Sequence, residues 1–457
     1  MKKAIFISFV LITYSLLNFF QYEIPKDKKY EVQVDGNSSI YDKKLNKYFI
    51  NSTDKSICSD EKYLCVKEPI ISIQYDELIM KYKRPGLLKV INEEAHALPI
   101  NLKISGNTTH HLPKKNLRLE FSKKKDWMDS YKRNFLGMGE AADWKLKAYY
   151  SDKSMARDFI NLEIYTKILK EFFPSYRFVH VFVNGHYNGP YLLFKHINRF
   201  GLGLEKRIEA PLWVDHFYNL EHKSYFREIA KINKIFWSFP IKLKKWFDLK
   251  DMSNTFLFKH KKDGANFDIT FEGLLKPNLH DGVFQKYPDD KYFNSISEYD
   301  AVVKRVKNHN DISSFDEQSV LNYLALLMFN SGRDNTVKNF YIYRKKNEKI
   351  KLIPWDLDWT FGQEGTNATF DSWLIEDSLL FKIFLEDSKR RNDLSSIIKK
   401  NKNLGEFVKK TCESVWDLAE LNNEVWQFKR FSNECLKMKL WTNKRLDFVI
   451  KKLESYK

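Results

Sequence analysis

The segment 314–354 constrains the fold more than any other part of the sequence, because it combines a helix, a polar loop and a hairpin. Ser314 and Glu317 have the spacing of a capping box, and apolar residues follow them at helical intervals. The polar residues 331–335 end this predicted helix, and two strand-like runs then flank a polar turn. A helix that leads into an antiparallel hairpin indicates an α+β protein.

The sequence before residue 198 contains mainly strand patterns. Apolar and polar residues alternate at 117–121, which predicts a strand with one buried face. Residues 177–194 predict a hairpin, because their central Asn-Gly pair readily adopts the positive φ angles of a tight turn. Ser154 is a predicted cap for a helix that ends before Pro174. We therefore expect five or more strands that enclose one helix.

The carboxyl-terminal half has weaker patterns until its last part. Residues 201–312 combine irregular helical pieces with one strand-like run at 266–271, and their order is not evident from the sequence. The last 80 or so residues show helical patterns. The chain therefore divides into a sheet-rich first part and a mainly helical second part.

Composition excludes an intrinsically disordered chain and bounds the partners. Hydrophobic residues make up 43% of the sequence, which is enough to build a core. Lys and Arg (77) outnumber Asp and Glu (59), and the formal charge of +18 attracts polyanions. Lys is spread along the chain except in the basic and aromatic stretch 221–262, so we interpret the charge as a solubilising surface and expect no nucleic-acid partner. An acidic protein or a membrane at 221–262 is the alternative.

The first 24 residues predict a membrane signal. Lys2 and Lys3 precede the apolar run 4–20, and the bulky residues after this run do not fit a small-residue cleavage site. We expect a signal anchor, with a cleaved signal peptide as the alternative. Residues 25–69 would then be an amino-terminal extension, and the chain after the anchor would lie outside the cytoplasm.

The four cysteines form two near pairs in the sequence. Cys58 lies close to Cys65, and Cys412 lies close to Cys435, without the Cys-x2-Cys spacing typical of zinc sites. Two short disulfide loops fit an oxidising compartment, and four free thiols are the alternative. Four cysteines allow three pairings, so the connectivity stays open.

Asp334, Asn339 and Asp356 are the candidate chemical residues. Asp334-x4-Asn339, with Asp356 22 positions after Asp334, has the spacing of the catalytic loop and the metal-binding aspartate of kinases. Hard oxygen ligands can hold Mg²⁺ against phosphates, and a carboxylate can orient the attacking hydroxyl. Each residue alone is also typical of a helix cap or an Asx turn. We expect the three side chains to converge on one divalent cation, with Asp358 as a further ligand or a solvated residue.

Six segments of the chain carry a family resemblance. They are residues 111–119, 152–158, 183–193, 285–288, 335–343 and 353–362. In this order they resemble the CotH family of spore-coat and related extracytoplasmic kinases, and several motifs in order are more specific than one. The stretch 356–362 is also similar to the metal-binding loop of lipid kinases, which favours Asp356 over Asp358.

The resemblance implies an atypical two-lobed protein-kinase-like fold. The sheet-rich N-lobe would comprise residues 70–198, and the mainly helical C-lobe with insertions would comprise residues 199–457. The implied cofactors are ATP and Mg²⁺, and the implied reaction is phosphorylation of Ser or Thr. On the matching positions, Asp334 would be the catalytic aspartate, and Asn339 and Asp356 would be the metal ligands.

The same resemblance requires a nucleotide site in the amino-terminal sheet. The candidates for the cation that faces the phosphates are, in order of preference, Lys115, Lys114 and Arg118. Glu163 would pair with that cation, although a helix-surface pair with Lys167 is an equal alternative. The chain at 195–198 would connect the lobes on the adenine side, where Lys195 stands in place of the acidic residue of many relatives.

The sequence therefore predicts a membrane-anchored, extracytoplasmic kinase that acts on a protein of the cell envelope or coat. One alternative is a catalytically inactive kinase-like binding or assembly protein at the envelope. The other is a different ATP-dependent transferase, which would transfer an adenylyl group or phosphorylate a carbohydrate or lipid.

Overall fold

The computed structural model of the 457-residue chain describes residues 39–52, 54–76, 78, 82–92, 96–106, 109–123, 126–204, 208–209, 250–251, 256–260, 283–287, 296–363, 369–373, 378–428 and 433–456. The predicted membrane signal, the strand-like run 266–271 and most of the basic stretch 221–262 lie outside these residues. In the part of the chain that is described, no helix has the length and apolar character needed to cross a membrane.

The first described residues form a small three-stranded sheet with one helical turn. Its elements are β1 (Ile40–Asp42), β2 (Lys47–Ile50), α1 (Lys55–Cys58) and β3 (Tyr63–Cys65). A disulfide between Cys58 and Cys65 joins α1 to β3. The buried carboxylate of Asp42 accepts the Tyr187 N–H at 2.7 Å, so this sheet is attached to the strands that follow.

The next strands belong to one large sheet and a short hairpin. They are β4 (Ile70–Gln74), β5 (Arg84–Val90), β6 (Leu98–Ile104), β7 (Leu117–Lys123), β8 (Asp126–Ser130), β9 (Arg133–Asn134), β10 (Glu140–Ala141), β11 (Asp143–Lys147), β12 (Tyr176–Val183) and β13 (His186–Lys195). The pairing order is β11-β13-β12-β4-β5-β6-β7, and β7 also pairs with β11. These seven described strands therefore close into a barrel, and β8 adds to β7.

Alternation along the strands fills the barrel with apolar side chains. Leu119, Trp144 and Leu193 are buried inside it, whereas their polar neighbours on the same strands face outward. The predicted strand at 117–121 and the predicted hairpin are confirmed as β7 and as β12–β13. The turn residues Asn184 and Gly185 have φ values of 49° and 81°, as the tight turn requires.

One helix lies between β11 and β12, but the strands do not enclose it. This helix is α2 (Arg157–Glu163), continued by a π-helical turn at Ile164–Ile168, and it ends before Pro174 as predicted. Ile160 packs into the larger core, which is shared with the second half of the chain and separate from the barrel interior. The prediction that Ser154 caps the helix is wrong, because the Asp152 carboxylate accepts the Arg157 N–H at 3.0 Å.

The second half contains short strands and most of the helices. The elements described here are β14 (Ile208–Glu209), β15 (Lys250–Asp251), β16 (Phe256–His260), β17 (Val283–Tyr287), α3 (Ile296–His309), α4 (Glu317–Asn330), α5 (Asp334–Val337), β18 (Phe340–Arg344), β19 (Lys351–Pro354), α6 (Leu379–Glu386), α7 (Ser388–Lys400), α8 (Leu404–Glu413), α9 (Trp416–Trp426) and α10 (Glu434–Glu454). Strands β17-β16-β18-β19 form a second sheet. The described structure is therefore α+β.

Helix α4 begins as the sequence predicts, but with a different cap. The carbonyl oxygen of Ser314 accepts the Ile350 N–H at 2.9 Å, and the next residue, Phe315, forms a parallel bridge with Ile350 beside the hairpin. Asp316 is the actual cap, and its carboxylate accepts the Ser319 N–H at 2.9 Å. The predicted capping box at Ser314 is therefore wrong, because the helix starts after the bridge to the hairpin.

The predicted helical carboxyl terminus is confirmed by α6 to α10. Of these helices, α7 and α10 pack against α4, which is buried along its length, whereas α9 packs against β13. A disulfide between Cys412 and Cys435 joins the end of α8 to the start of α10. The sequence left three ways to pair the four cysteines, and the structure has the one that closes two short loops.

Candidate functional site

Lys147 lies at the centre of a charged cluster between the barrel and the second half of the chain. It is the last residue of β11, and it faces outward because Leu146 fills the barrel. Its ammonium group contacts the carboxylate of Asp158, lies 2.7 Å from Asp356 and lies 3.6 Å from Asp358. Asp158 belongs to α2, while Asp356 and Asp358 directly follow β19. Three separate elements therefore meet at one ammonium group.

The charges of this cluster shift the pKa values of its members. Burial lowers the pKa of Lys147, but the carboxylates outweigh burial and hold it well above its usual value. Burial and the charges of Asp356 and Asp158 raise the pKa of Asp358 to about 7, against the opposing effect of Lys147. Burial also raises the pKa of Asp158. For Asp356, the nearby Lys147 overcomes the effect of burial and lowers the pKa.

The three carboxylates are close enough to share one ion. One oxygen atom from each of Asp158, Asp356 and Asp358 lies within 4.8 Å of the other two. Carboxylate oxygens are the hard ligands that Mg²⁺ prefers, and one ammonium group does not neutralise three carboxylates. The donor set therefore fits a divalent cation. The Asp356 side chain is 45% exposed and the Asp158 side chain is 6% exposed, so Asp356 is the more accessible ligand.

The backbone at the end of the β18–β19 hairpin presents two of the predicted residues side by side. The Asn339 carbonyl accepts the Trp355 N–H at 2.9 Å, which places Asn339 next to Asp356. Asn339 and Asp356 both adopt left-handed backbone, with φ values of 58° and 60°. Asn and Asp tolerate this conformation better than other residues with a side chain. The chain therefore turns sharply just before β18 and just after β19, where these two candidate ligands lie.

Asp334 does not join the carboxylate cluster. It begins the short helix α5, and its carboxylate pairs with Lys338 at 2.9 Å. Among the described residues, the acidic group that can share an ion consists of Asp158, Asp356 and Asp358. The structure thus groups Asp356 with Asp158 and Asp358, and Asp334 is not among the acidic residues that it brings together. The expected convergence of Asp334, Asn339 and Asp356 on one cation stays a prediction.

Asn335 connects the Asp334 segment to the carboxylate segment. Its amide group donates to the carbonyl oxygen of Asn339 at 3.0 Å and to that of Trp355 at 2.8 Å. The side chain is almost fully buried. Asp334 is therefore attached, through its neighbour in sequence, to the residue that precedes Asp356.

Two further lysines lie beside the cluster, against the indole ring of Trp355. The ammonium group of Lys145 is 4.2 Å from the ring centroid, and that of Lys259 is 5.3 Å from it. Burial, followed by the positive charge of Lys259, lowers the pKa of Lys145 well below its usual value. Burial also lowers the pKa of Lys259. Such closely spaced cations favour an anionic ligand.

The structure does not place Lys114 or Lys115 at the cluster. Lys114 is buried, and its ammonium group donates to the Pro190 carbonyl at 2.6 Å and to the Asn422 side chain at 2.7 Å. Lys115 donates to the His110 carbonyl at 2.9 Å. Both precede β7, whose first residue Leu117 pairs with Leu146, so they lie at the same end of the barrel as Lys147, but their ammonium groups bond other partners. The lysine that the structure places at the carboxylates is therefore Lys147 and not Lys115 or Lys114, the first two choices from the sequence.

Arg118 lies beside Lys145 in the sheet, but a carboxylate holds it. It is the register partner of Lys145 on the outer face of the barrel, and it forms a two-point ion pair with Asp143 at 2.9 and 2.7 Å. Lys195 pairs through its backbone with Trp144 and extends to the loop at Gly139, away from Lys145. Neither residue contacts the three carboxylates.

Glu163 forms the alternative pair that the sequence left open. Its carboxylate contacts Lys167 and accepts the Tyr176 hydroxyl at 2.9 Å, so it does not pair with a lysine of the sheet. Asp158, on the same helix, makes that pair instead, with Lys147. Sequence reasoning missed both residues of this pair. The signal was present in the alternation of lysines with Trp144 and Leu146 on one strand.

Comparisons with known proteins show the family of this chain. The chain is 22% identical over 320 residues to the inner spore coat protein H of Bacillus subtilis (strain 168), which covers 69% of this chain and 74% of that protein. The family model described as CotH kinase protein matches residues 102–449, a range that contains Lys147, Asp158, Asp356 and Asp358. The chain therefore belongs to the CotH kinase family.

Proposed function

We propose that this protein is a kinase that transfers the γ-phosphate of ATP to a Ser or Thr residue of a protein outside the cytoplasm. The observation that carries the proposal is the cluster in which Lys147 meets the carboxylates of Asp158, Asp356 and Asp358. Phosphoryl transfer needs carboxylates that hold Mg²⁺ and cations that neutralise phosphate oxygens. Membership of the CotH kinase family supports the same reaction class.

In the proposed complex, carboxylates would bind the metal ion of MgATP, and lysines would face its phosphates. Asp356 and Asp358 would hold the metal ion, with Asn339 beside them, and Asp158 would orient Lys147. Lys147 would face the phosphates, and Lys145 and Lys259 would add positive charge next to Trp355. MgATP supplies the reactive γ-phosphoryl group, whose charge the metal and the lysines neutralise.

Asp334 would orient the acceptor hydroxyl. Its side chain is 32% exposed and is paired with Lys338, so it is accessible to a substrate. In the transfer, a bond forms between the hydroxyl oxygen and the γ-phosphorus while the bond to the β–γ bridging oxygen breaks. The hydroxyl proton passes to the Asp334 carboxylate, and ADP leaves with the bridging oxygen.

The substrate class and the location are part of the same proposal. The Bacillus subtilis relative is named as an inner spore coat protein, which supports a coat or cell-envelope protein as the acceptor here. The lysines and the apolar run at residues 2–20 support an anchored, extracytoplasmic position. The Cys58–Cys65 and Cys412–Cys435 disulfides fit an oxidising compartment.

Labelled ATP tests this proposal. The full chain, its Asp356→Asn variant and a matched Asp393→Asn variant are each incubated with MgATP and cell-envelope protein, with the label at the γ- or the α-phosphate. Asp393 is an exposed residue of α7, so its variant controls for the chemical change itself. We expect γ-label transfer by the wild type and Asp393→Asn, and a loss of at least about 100-fold in Asp356→Asn.

The other outcomes identify the alternatives. Transfer of the α-label would indicate an adenylyl transferase, and label in carbohydrate or lipid would indicate another acceptor. Nucleotide binding without transfer by the wild type would indicate an inactive kinase-like binding protein. Equal γ-transfer by wild type and Asp356→Asn would remove Asp356 from the site.

A further inference from the structure

Helix α2 holds the segment that carries Asp356 and Asp358 through polar side chains on one of its faces. The Asp158 carboxylate accepts the Leu357 N–H at 2.6 Å. The Arg157 guanidinium donates to the Thr360 carbonyl at 3.1 Å. The Asn161 amide donates to the Thr360 hydroxyl at 2.9 Å and to the Leu357 carbonyl at 3.2 Å. The position of the carboxylates is therefore set from α2.

Asn161 also reaches the segment that carries Asp334. Its side-chain oxygen accepts the Asn330 side-chain N–H at 2.8 Å, and the Asn330 oxygen accepts the Gly332 N–H at 2.7 Å. The Asn330 carbonyl also accepts the Phe361 N–H at 3.0 Å. The amide group of Asn161 thus contacts the carboxylate segment with its nitrogen and, through Asn330, the Asp334 segment with its oxygen.

The hydrogen-bonded side chains of this connection lie in the interior of the protein. Asn161 and Asn330 are fully buried, and Thr360 is nearly so. Buried amides destabilise a fold unless their polar atoms are paired, and paired networks hold a defined geometry in a low dielectric. Gly332 adds a constraint of its own, because a Cβ there would lie 3.0 Å from the side-chain oxygens of both Asn330 and Asn335. The two segments have little freedom to move apart.

We propose that Asn161 is a positioning residue that fixes the Asp334 segment relative to the carboxylates of Asp356 and Asp358. The inference rests on the proposed function, and it names the residue on which alignment of the two parts of the site depends. Asn161 itself would touch neither nucleotide nor substrate in the proposed site. Its loss should therefore impair alignment for transfer more than it impairs nucleotide binding.

The test uses full-length Asn161→Ala, Asn330→Ala and the double variant, with Asn422→Ala as the matched control. Asn422 is also a fully buried asparagine, but its side chain accepts a hydrogen bond from Lys114, and no described hydrogen bond joins it to 331–336 or 357–361. We expect Asn161→Ala to lower kcat by about 10- to 100-fold, because misplacement of about 1 Å can reduce a rate that much, with KM for ATP within about twofold of wild type. The double variant should lose no more activity than Asn161→Ala, because both changes break one connection.

Hydrogen–deuterium exchange of the protein without nucleotide supplies a readout that does not need activity. In Asn161→Ala we expect faster exchange both at 331–336 and at 357–361, while Asn422→Ala leaves both segments unchanged. If Asn161→Ala leaves exchange at 331–336 unchanged, or if the losses in the double variant add, the proposal is wrong. A wild type that transfers no phosphate would contradict the proposed function, and exchange would still decide whether Asn161 couples the segments.

Discussion

The ammonium group of Lys147 competes with any cation for the same three carboxylates. Its side chain is 12% exposed, and those of Asp158 and Asp358 are 6% and 14% exposed, so their charges are only partly screened by water. An ion pair that loses one buried partner leaves charge uncompensated, which destabilises the folded state. Whether Lys147 or a metal ion pairs with these carboxylates should therefore affect the free energy of unfolding, which can be measured.

Replacement of Lys147 should make the fold depend on a divalent cation. We expect Lys147→Met to lower the free energy of unfolding by about 2–3 kcal/mol in the presence of EDTA, less than for a fully buried pair because Asp356 is partly exposed. Added MgCl₂ should raise the midpoint temperature of this variant more than that of wild type, because binding to the native state stabilises it. Thermal unfolding with and without Mg²⁺ measures both effects.

Lys145→Met is the control for this comparison, because Lys145 contacts Trp355 and not the carboxylates. An equal response of both variants to Mg²⁺ would show that the three carboxylates do not bind the ion in preference to the rest of the surface.

Single residues were predictable only where a local motif marks them. Asp356 and Asp358 directly follow an apolar strand, and their position at the end of the hairpin is evident from the sequence. Lys147 and Asp158 were not predicted as a pair, because their contact depends on how α2 packs against the outside of the barrel. Lys114 was a candidate for the phosphate site but is buried instead. Its ammonium group bonds the carbonyl of Pro190, which is remote in sequence, so the sequence pattern around Lys114 does not indicate this burial.

Among the elements, the small three-stranded sheet β1–β3, here called the amino-terminal sheet, packs against the barrel at an ionisable residue of β12. His180 is buried, and its ring nitrogens lie 2.6 Å from the Tyr187 hydroxyl and 3.3 Å from the Glu68 carboxylate. Phe49 of β2 packs against the same histidine. Burial lowers the pKa of His180 below its usual value, although Glu68 opposes the effect. The folded state therefore favours the neutral ring.

This arrangement predicts a loss of stability in mild acid. The unfolded chain takes up a proton on His180 near pH 6.5, whereas the folded chain does so only at lower pH. Stability from this residue is thus complete above pH 6.5 and decreases as the pH falls below it. We expect His180→Gln to reduce the difference between the free energies of unfolding at pH 8 and pH 5.5, as measured with urea.

The exposed His186 provides the comparison, because His186→Gln should leave that difference as in wild type. A pH dependence unaffected by His180→Gln would mean that the attachment of the amino-terminal sheet does not depend on a neutral histidine.

Elements with local signals were predictable, but the closure of the barrel was not. The Asn184-Gly185 turn and the apolar spacing of α4 are local, and both elements occur where expected. Pairing of β7 with β11 aligns Arg118 with Lys145, and no turn joins the two strands directly. The register of such a pair depends on which strand faces become buried. The sequence pattern of one strand alone does not determine this.

At the scale of the whole molecule, the candidate site lies where three parts of the chain meet. The barrel supplies Lys145 and Lys147, α2 supplies Asp158, and the hairpin of the second sheet supplies Asp356 and Asp358. The connection from Asn161 to Asn330 adds the segment that carries Asp334. Each part depends on the others for its position, so the site is a property of the complete fold.

The most direct measurement is a crystal structure of the protein with Mn²⁺ and a non-hydrolysable ATP analogue, with the metal located by anomalous scattering. Mn²⁺ takes the same oxygen ligands as Mg²⁺. The proposed site predicts a metal peak within about 2.5 Å of a carboxylate oxygen of Asp356, with phosphate oxygens beside Lys147. A nucleotide and metal bound elsewhere, with Lys147 still enclosed by the three carboxylates, would contradict it.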